Sequence, residues 1–395
     1  MSVSPQTRRA PGSSACLPRL VPPEPEIALL VSTYEKPWHL ERVLASVAMQ
    51  EGVEGRMELV VTDDGSVDQT PQIVRQFAQK VRFPVSFATH PHQEFQLARC
   101  RNEGVRASKA PYLLFLDGDC VLPPNHVREH LKRRRPNYAT GADCCRLDQA
   151  MSARFDDEAI RSRKYLDWVS RSQLRALAKC YRKARFYQWI HHPTKPKLVG
   201  NNIGIWRRDY QRVNGYDENF GGWGCEDDDL RLRVRRAGIR SASILRWTHT
   251  YHLWHPADPS APRKWRDGEN VRYFCRQGRL TRCMNGLVKR SLDDLAVRVV
   301  GTPFRPEAAA ALLGSRWADP CHADQAEVEL LFLPGRGRFS GRADANILVV
   351  LDDSPQTQPV ARKAHILVAD RPCPGVPEEY CFKLTEFDQA LGALG

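Results

Sequence analysis

The sequence predicts an α/β fold, built on a mixed sheet of mainly parallel strands with helices on both faces. One observation is an unbroken apolar run at 112–116 that ends in Asp117-Gly118-Asp119. A run of this kind is typical of a central strand that is covered on both sides. The other observation is the alternation of strand-like and helix-like segments through 27–119, which favours parallel pairing through right-handed crossovers.

The elements of this sheet follow one another in chain order. Short apolar segments predict four strands, at 27–31, 57–61, 84–88 and 112–117. Apolar residues at helical spacing predict the helices between them, with Pro37 and Thr70-Pro71 in first-turn positions that suit proline. The third helix, at 96–108, leads directly into the fourth strand.

Length and composition limit the possible architectures. A chain of 395 residues accommodates roughly two or three domains of about 100–200 residues each. We expect a disordered, Pro- and Ser-rich lead-in at 1–26, a main domain at 27–296 and a small α/β domain at 297–395. The last region contains three strand candidates at 327–333, 346–351 and 365–369, and a helix near its end. Oligomerisation, partner docking and acceptor recognition all stay open as its role.

Charge and cysteine usage indicate the surroundings of the protein. The 59 Lys and Arg residues outnumber the 46 Asp and Glu residues, so the net charge of +13 favours anionic partners. The 12 cysteines show no paired spacing, which predicts reduced thiols. No segment approaches the roughly 20 apolar residues of a membrane span. We therefore expect a cytoplasmic protein, with a peripheral position on the inner face of the plasma membrane as an open alternative.

Acidic residues follow two of the predicted strands. Asp63 and Asp64 come after the second strand, and Asp117 and Asp119 after the fourth. Because the carboxyl ends of parallel strands meet at one edge of a sheet, we expect these carboxylates to gather there. Two aspartates separated by a glycine suit a hard divalent cation, Mg²⁺ or Mn²⁺, that keeps part of its coordination for phosphate oxygens.

Five short motifs stand out along the chain: VSTY at 31–34, TDDGS at 62–66, RNEGV at 101–105, FLDGD at 115–119 and GWGCEDDDL at 222–230. Together they resemble the inverting glycosyltransferases of family 2, whose nucleotide-sugar-binding fold is usually called GT-A. The resemblance covers about residues 27–256. Its last segment is also similar to the acceptor-and-base segment of β-1,4-galactosyltransferases and of bacterial chondroitin-type polymerases.

The resemblance implies a division of the main domain into a nucleotide-binding half at 27–125 and an acceptor half at 198–256. The cation would bind directly to Asp119, with Mn²⁺ or Mg²⁺ as the cofactor. A divalent cation can offset the negative charge that develops on a diphosphate leaving group. The residues implied near the donor nucleotide are Thr33, Asp63, Asp64, Arg101 and Asp117. Which of the two adjacent aspartates contacts the base stays open.

In the acceptor half, the resemblance assigns Asp227 as the general base. An acceptor hydroxyl needs a positioned carboxylate to take its proton as it attacks the anomeric carbon. Glu226 would hydrogen-bond the acceptor sugar, and Trp223 would stack on a sugar face. For Asp228 and Asp229 we expect only the structural role of acids in the first turn of a helix.

Three histidines spaced by three follow this segment. On an extended segment three imidazoles cannot all point one way, which argues against a three-histidine zinc site. The resemblance implies that one of them is a further ligand of the metal. By position His252 is the first choice, His255 the second and His249 the third. If none binds metal, they form an aromatic wall of the sugar site.

A basic insertion at 148–197 departs from a minimal enzyme of this type. It carries twelve Lys and Arg residues against five acids. A basic amphipathic helix with aromatic residues predicts a surface that lies on anionic lipid. A helical lid beside the acceptor site is the compatible alternative. The residues at roughly helical spacing are Leu166, Val169, Leu174, Leu177 and Tyr181.

The sequence therefore predicts a metal-dependent inverting glycosyltransferase that moves a hexose or N-acetylhexosamine from a UDP-sugar to a hydroxyl of a glycan or glycolipid. By resemblance, bacterial surface polysaccharide or lipopolysaccharide biosynthesis is the expected setting. The alternative is a catalytically silent scaffold of the same fold that binds nucleotide sugar or glycan. Specific binding of nucleic acid is not expected, because the sequence carries no recognisable reading motif.

Overall fold

A computed structural model describes most of the chain. The predicted lead-in lies almost wholly outside the described residues, so its disorder stays a prediction. The described residues are 24–197, 200–257, 266–314, 325–351, 358–370 and 376–395.

A seven-stranded mixed sheet forms the centre of the molecule, with the strand order β3-β2-β1-β4-β8-β6-β9. The four predicted strands are its first four members in the chain, and they pair in parallel. β8 runs antiparallel to both β4 and β6, which makes the sheet mixed, as the sequence predicts. The strands up to residue 252 are β1 Ile27–Thr33, β2 Met57–Asp63, β3 Val85–Thr89, β4 Tyr112–Asp117, β5 Cys120–Val121, β6 Tyr138–Gly141, β7 Cys144–Arg146, β8 Asn202–Trp206, β9 Arg240–Ser243 and β10 Thr250–His252.

Helices cover both faces of this sheet. The predicted helix starts at Pro37 and Thr70 are confirmed. The helices in this part of the chain are α1 Pro37–Ala48, α2 Thr70–Ala78, α3 Leu97–Ala107, α4 His126–Arg133, α5 Gln149–Ala153, α6 Asp157–Arg161, α7 Arg171–Trp189, α8 Arg207–Arg212, α9 Glu226–Arg236 and α10 Glu269–Phe274. A 3₁₀ turn, Lys164–Asp167, lies between α6 and α7.

The residues of β1 show why the sheet is buried. All seven are buried, and successive side chains enter opposite cores. Ile27, Leu29 and Val31 pack with α1 on one face. Ala28 and Leu30 pack with apolar residues of α3 and α9 on the other face. Because each fully buried aliphatic side chain contributes about 1.5–3 kcal/mol, these two layers hold the carboxyl end of β1 in a fixed place.

A small three-stranded sheet, in the order β5-β10-β7, extends from the end of β4. Its central strand, β10, pairs antiparallel with β5, and this pairing sets His252 opposite Cys120. β10 also pairs in parallel with β7. Residues that are far apart in the chain, at 119 and 252, are therefore held next to each other by strand register.

The basic insertion is helical, but its apolar stripe differs from the prediction. α7 begins at Arg171, after a capping box between Ser170 and Gln173, so Leu166 and Val169 lie outside the helix. A capping box ends the preceding turn and starts a helix in a new direction. On α7 the side chain of Leu177 is buried, whereas Leu174 is 46% exposed. Among the described residues, no helix is both long and apolar enough to cross a membrane.

A second sheet follows, with five parallel strands in the order β11-β13-β15-β16-β17. It has its own apolar core, which includes the final helix. The division of the chain into domains stays a prediction. The remaining elements are β11 Val297–Val299, β12 Thr302–Pro303, α11 Pro306–Leu313, β13 Val328–Leu333, β14 Gly335–Arg336, β15 Ala345–Val350, α12 Gln358–Ala361, β16 Ile366–Ala369, β17 Cys381–Phe382 and α13 Phe387–Gly392, with 3₁₀ turns at Leu292–Asp294, Glu378–Tyr380 and Leu384–Glu386.

Candidate functional site

A cavity of about 860 Å³, here called the reaction cavity, lies at the carboxyl ends of β1 and β4. It collects residues from segments that are far apart in the sequence. Most of the residues that the sequence singles out line it. These are Thr33, Arg101, Asp117, Asp119, Trp223, Glu226, Asp227 and His252.

Asp119 stands at the centre of a cluster of cationic and metal-ligating groups. One carboxylate oxygen lies 3.6 Å from His252 Nε2, and the other lies 3.3 Å from His255 Nε2. Lys36 Nζ donates a hydrogen bond to the same second oxygen at 2.9 Å. His249 lies outside this cluster, beside Tyr251. Two of the three histidines therefore face Asp119, and the third does not.

The protonation of this cluster is set by burial and by charge. Burial alone would raise the pKa of Asp119, but the hydrogen bond with His255 and the positive charges nearby outweigh it, so the pKa is lowered well below its usual range. Burial lowers the pKa of His252. The hydrogen bond with Asp119 raises the pKa of His255. Asp119 is therefore an anion that attracts positive charge.

The donor atoms of this cluster fit a divalent cation. One atom each from Asp119, His252 and His255 lie within 4.8 Å of one another. A carboxylate with two imidazoles mixes oxygen and nitrogen ligands, which suits Mg²⁺ less than a transition-metal ion, because Mg²⁺ prefers oxygen ligands. The Lys36 ammonium pairs with the same carboxylate.

Arg101 connects the two halves of the reaction cavity. Its guanidinium is 1% exposed and donates to Asp117 Oδ1 at 3.0 Å and to Asp227 Oδ1 at 2.7 Å. Burial, together with the negative charge of Asp119, raises the pKa of Asp117 against the effect of Arg101. A buried arginine of this kind holds carboxylates in fixed positions because its planar fork offers two parallel donors.

Asp227 lies in the first turn of α9, where the helix dipole favours a negative charge. Its Oδ1 atom also accepts a hydrogen bond from the Tyr216 hydroxyl at 2.9 Å. Gly200 lies against the other oxygen: a Cβ atom at position 200 would come 2.1 Å from Asp227 Oδ2. Position 200 therefore has to be a glycine if Asp227 is to keep this conformation.

The other acids of this segment have different surroundings. Burial, with the charge of Asp227, raises the pKa of Glu226 to about 7. Its Oε2 atom is buried and has no hydrogen-bond partner among the described residues. In contrast, Asp228 is paired with Arg231 and Asp229 with Arg233, and neither lines the reaction cavity.

Asp63 and Asp64 do not line the reaction cavity, although they follow the neighbouring strand. Asp63 accepts hydrogen bonds from the Ser66 and Thr89 hydroxyls. Asp64 accepts from the backbone of Gln96 and contacts His90 Nε2 at 2.8 Å. Both side chains are almost fully buried and shape the loops around the cavity, and their contact with a donor nucleotide stays a prediction.

The structure adds two residues that the sequence did not assign to the site. Lys36 contacts Asp119, and Tyr216 contacts Asp227. Tyr216 belongs to the VNGYD segment shortly before the GWGCEDDDL motif, which is a signal that could have found it. Lys36 has no such signal, because a lysine before a helix is common.

Comparison with known proteins agrees with this geometry. Residues 29–192 match the glycosyl transferase family 2 model, and residues 182–256 match the N-terminal domain of galactosyltransferase. The mixed sheet with helices on both faces is the GT-A fold that the sequence predicts. The part of the chain that carries the cavity is similar to family 2 glycosyltransferases.

Two curated relatives each match more than half of the chain. Validoxylamine A glucosyltransferase of Streptomyces hygroscopicus subsp. limoneus is 27% identical over 251 residues, which are 60% of this chain and 53% of the relative. Chondroitin synthase of Escherichia coli is 23% identical over 242 residues, which are 55% of this chain and 33% of the relative. The chain thus spans about half the length, or less, of these relatives.

A solved structure also resembles this one. It is a mannosyltransferase from Pyrobaculum calidifontis in complex with GDP-Man and Mn²⁺, with a TM-score of 0.44 and 17% sequence identity, covering 61% of this chain and 60% of that chain.

Proposed function

We propose that the reaction cavity transfers a hexose or N-acetylhexosamine from a nucleotide diphosphate sugar, a UDP-sugar by resemblance, to a hydroxyl of a glycan or glycolipid, with inversion at the anomeric carbon. The observation that carries this proposal is the presence, in one cavity, of the Asp119, His252 and His255 cluster and of the Glu226-Asp227 pair. Such a cavity offers a cation site for a leaving group and an acid-base pair for an acceptor.

On the donor side, Asp119, His252 and His255 would hold the divalent cation. When bound, the cation would supply positive charge against the diphosphate oxygens. Thr33 supports the placement of the nucleotide here, because its hydroxyl oxygen is buried, lines the cavity and has no hydrogen-bond partner among the described residues. Asp117, fixed by Arg101, is in position to accept hydrogen bonds from a ribose.

On the acceptor side, Asp227 is the proposed general base. Arg101 and Tyr216 occupy its Oδ1 atom, and no described residue donates a hydrogen bond to Oδ2. Oδ2 would take the acceptor's hydroxyl proton while that oxygen forms its bond to the anomeric carbon. The bond from this carbon to the diphosphate oxygen breaks in the same step, and the nucleotide diphosphate leaves with the electron pair.

Glu226 is a second candidate for the base. Its unpartnered oxygen and its pKa of about 7 are the properties expected of a group that takes up a proton near neutral pH. Asp227 is favoured over it because Arg101 and Tyr216 fix its direction. In this arrangement Glu226 would accept a hydrogen bond from an acceptor hydroxyl, and Trp223 would stack on the sugar.

The relatives support the donor class. Their names describe a glucosyltransferase and a chondroitin synthase, and glucose is a hexose. Biosynthesis of a bacterial surface polysaccharide or lipopolysaccharide is the setting that we propose from the resemblance.

A panel of donors tests the proposed function. Protein with Mn²⁺ is incubated with UDP-Gal, UDP-GalNAc, UDP-Glc and UDP-GlcNAc, and release of UDP is measured with and without chelator. We expect release from one donor that stops when the chelator is added. Calorimetry with each donor runs in parallel. Tight binding of a donor with no release in the presence of any glycan acceptor would support the silent scaffold instead.

We also propose that the insertion lies against an anionic membrane surface. The carboxyl-terminal end of α7 supports this proposal, because Phe186 is 52% exposed, Trp189 77% and Ile190 43%. Aromatic residues beside basic ones are typical of segments that rest in a membrane interface. Sedimentation at low salt should recover the protein with anionic vesicles and not with neutral ones. Equal recovery from both kinds of vesicle would refute the proposal.

A further inference from the structure

A second cavity, of about 500 Å³, lies between α7 and the edge strand β9, and we call it the basic cavity. Its walls come from the end of α4, from α7, from the loop at 191–196 and from β9. Among the described residues, none lines both this cavity and the reaction cavity. It is therefore a separate site, to which the mechanism above assigns no role.

The charged residues that line the basic cavity are all positive. No aspartate or glutamate is present among the described residues that line it. Arg133 is paired with Glu129, which lies outside the lining. The remaining exposed cations have no carboxylate partner in the described part of the chain. The cationic residues of the lining are Arg133, Arg135, Arg185, Lys195, Arg235 and Arg240.

Positive charge that is gathered in a concave surface, without acids to balance it, raises the local concentration of anions. Charged side chains on a solvated helix face usually include both positive and negative groups. The charged side chains that line this cavity are all positive. The basic cavity therefore differs from an ordinary solvated patch in both shape and charge.

Buried polar atoms in the lining also lack partners. Ser241 is 2% exposed, and its hydroxyl oxygen has no hydrogen-bond partner among the described residues. Burying a hydroxyl without a partner costs free energy, which a bound ligand can recover. The Nε atom of Arg235 is also buried without a hydrogen-bond partner among the described residues. The other guanidinium nitrogens of Arg235 donate to the carbonyls of His192, Pro193 and Lys195. Arg235 thus holds the loop that closes one side of the cavity.

We propose that the basic cavity binds a phosphate-bearing ligand, at a site distinct from the one that transfers sugar. Guanidinium groups match phosphate oxygens in pairs, and Arg185 and Arg240 approach the cavity from two different elements. The Tyr138 hydroxyl, 3.5 Å from Arg240 Nη1, adds a neutral donor to the same wall.

The phosphate can come from two sources. A free phosphoanion would enter from solvent. The headgroup of an anionic lipid would enter from a membrane, and the exposed Phe186 and Trp189 side chains are on α7, which also supplies Arg185 to the lining. Both sources have the same chemistry at the cavity, so the experiment has one arm for each.

The test compares two double variants with the same change in charge. Arg185→Gln with Arg240→Gln removes two cations from the basic cavity, and both side chains are exposed, so the fold should tolerate the change. Lys179→Gln with Arg182→Gln removes two exposed cations of α7 that do not line it. Binding of pyrophosphate is measured by calorimetry in chelator, and binding of phosphatidylglycerol and phosphatidylcholine vesicles by sedimentation.

We expect the cavity variant to weaken binding of pyrophosphate on the order of 10- to 100-fold, because two charge-assisted hydrogen bonds are lost, and the control variant to change the binding of pyrophosphate by less than about threefold. If pyrophosphate binds and vesicles do not, the site takes a soluble phosphoanion. If phosphatidylglycerol vesicles bind through the same residues and pyrophosphate competes, the site takes a headgroup. Equal weakening in both variants, or no binding of either probe by the unmodified protein, would overturn the proposal.

This proposal stands apart from sugar transfer. The substituted residues do not line the reaction cavity, so release of UDP from the donor should be unchanged in both double variants. A protein that releases no UDP in the donor panel can still bind phosphate at the basic cavity. A protein that binds no phosphate there can still transfer sugar.

Discussion

Replacement of Asp119 by asparagine should remove nearly all turnover and most of the affinity for Mn²⁺. Among the described residues, Asp119 is the carboxylate that clusters with both His252 and His255, and its low pKa keeps it charged. Asparagine keeps the shape but loses the charge that attracts a cation. Because a divalent cation stabilises a developing diphosphate charge by several kcal/mol, we expect a loss on the order of 10³-fold in kcat.

Two measurements check this result. Calorimetry with Mn²⁺ alone follows the metal, and release of UDP follows turnover. Asp68→Asn serves as the control: Asp68 follows β2, accepts a backbone hydrogen bond from Thr70 and does not line the reaction cavity. A variant at Asp119 that binds Mn²⁺ as the unmodified protein does would exclude this carboxylate as a ligand.

Replacement of Asp227 by asparagine should lower kcat by about 10²- to 10⁴-fold with little change in donor binding, because an amide cannot take the acceptor's proton. Asparagine can still accept the hydrogen bonds from Arg101 and Tyr216, so the cavity should keep its shape. The matched control is Asp228→Asn. Asp228 is the next residue of the same helical turn and is paired with Arg231 outside the reaction cavity.

The pH dependence separates Asp227 from Glu226. A base acts only when it is deprotonated, and the pKa of Glu226 is raised to about 7. If Glu226 is the base, kcat should fall as the pH drops below about 7. Glu226→Gln should then lower kcat more than Asp227→Asn does. Full activity of Asp227→Asn would refute the assignment of Asp227.

Much of the fold could be predicted because its signals are local. Short apolar segments define β1 to β4, acidic residues mark the ends of β2 and β4, and the parallel pairing follows from the helices between the strands. The positions of β6, β8 and β9 in the sheet could not be predicted in this way. Their pairing depends on contacts between residues that are distant in the chain, and β8 has to reverse direction to lie beside β4.

The position of Asp117 and Asp119 at the cavity could be predicted, because a motif and a strand end coincide there. The site was harder to predict where burial decides the outcome. His252 and His255 both face Asp119 because β10 ends at His252 and the residues after it leave the strand, which a pattern of three histidines does not show. The sequence likewise does not show that the carboxylates of Asp63 and Asp64 already accept hydrogen bonds from neighbouring residues. It also does not show that α7 begins after Leu166.

The pairing of β10 with β5 has a consequence for how the protein can vary. The distance between Asp119 and His252 is set by the pairing of β5 with β10, in which His252 lies opposite Cys120, the residue after Asp119. The length of chain between the two residues does not affect this distance. Segments such as the basic insertion can therefore lengthen, shorten or be exchanged without changing the separation of Asp119 and His252. The proposed acceptor side and the proposed cation site can, in that sense, change independently of each other.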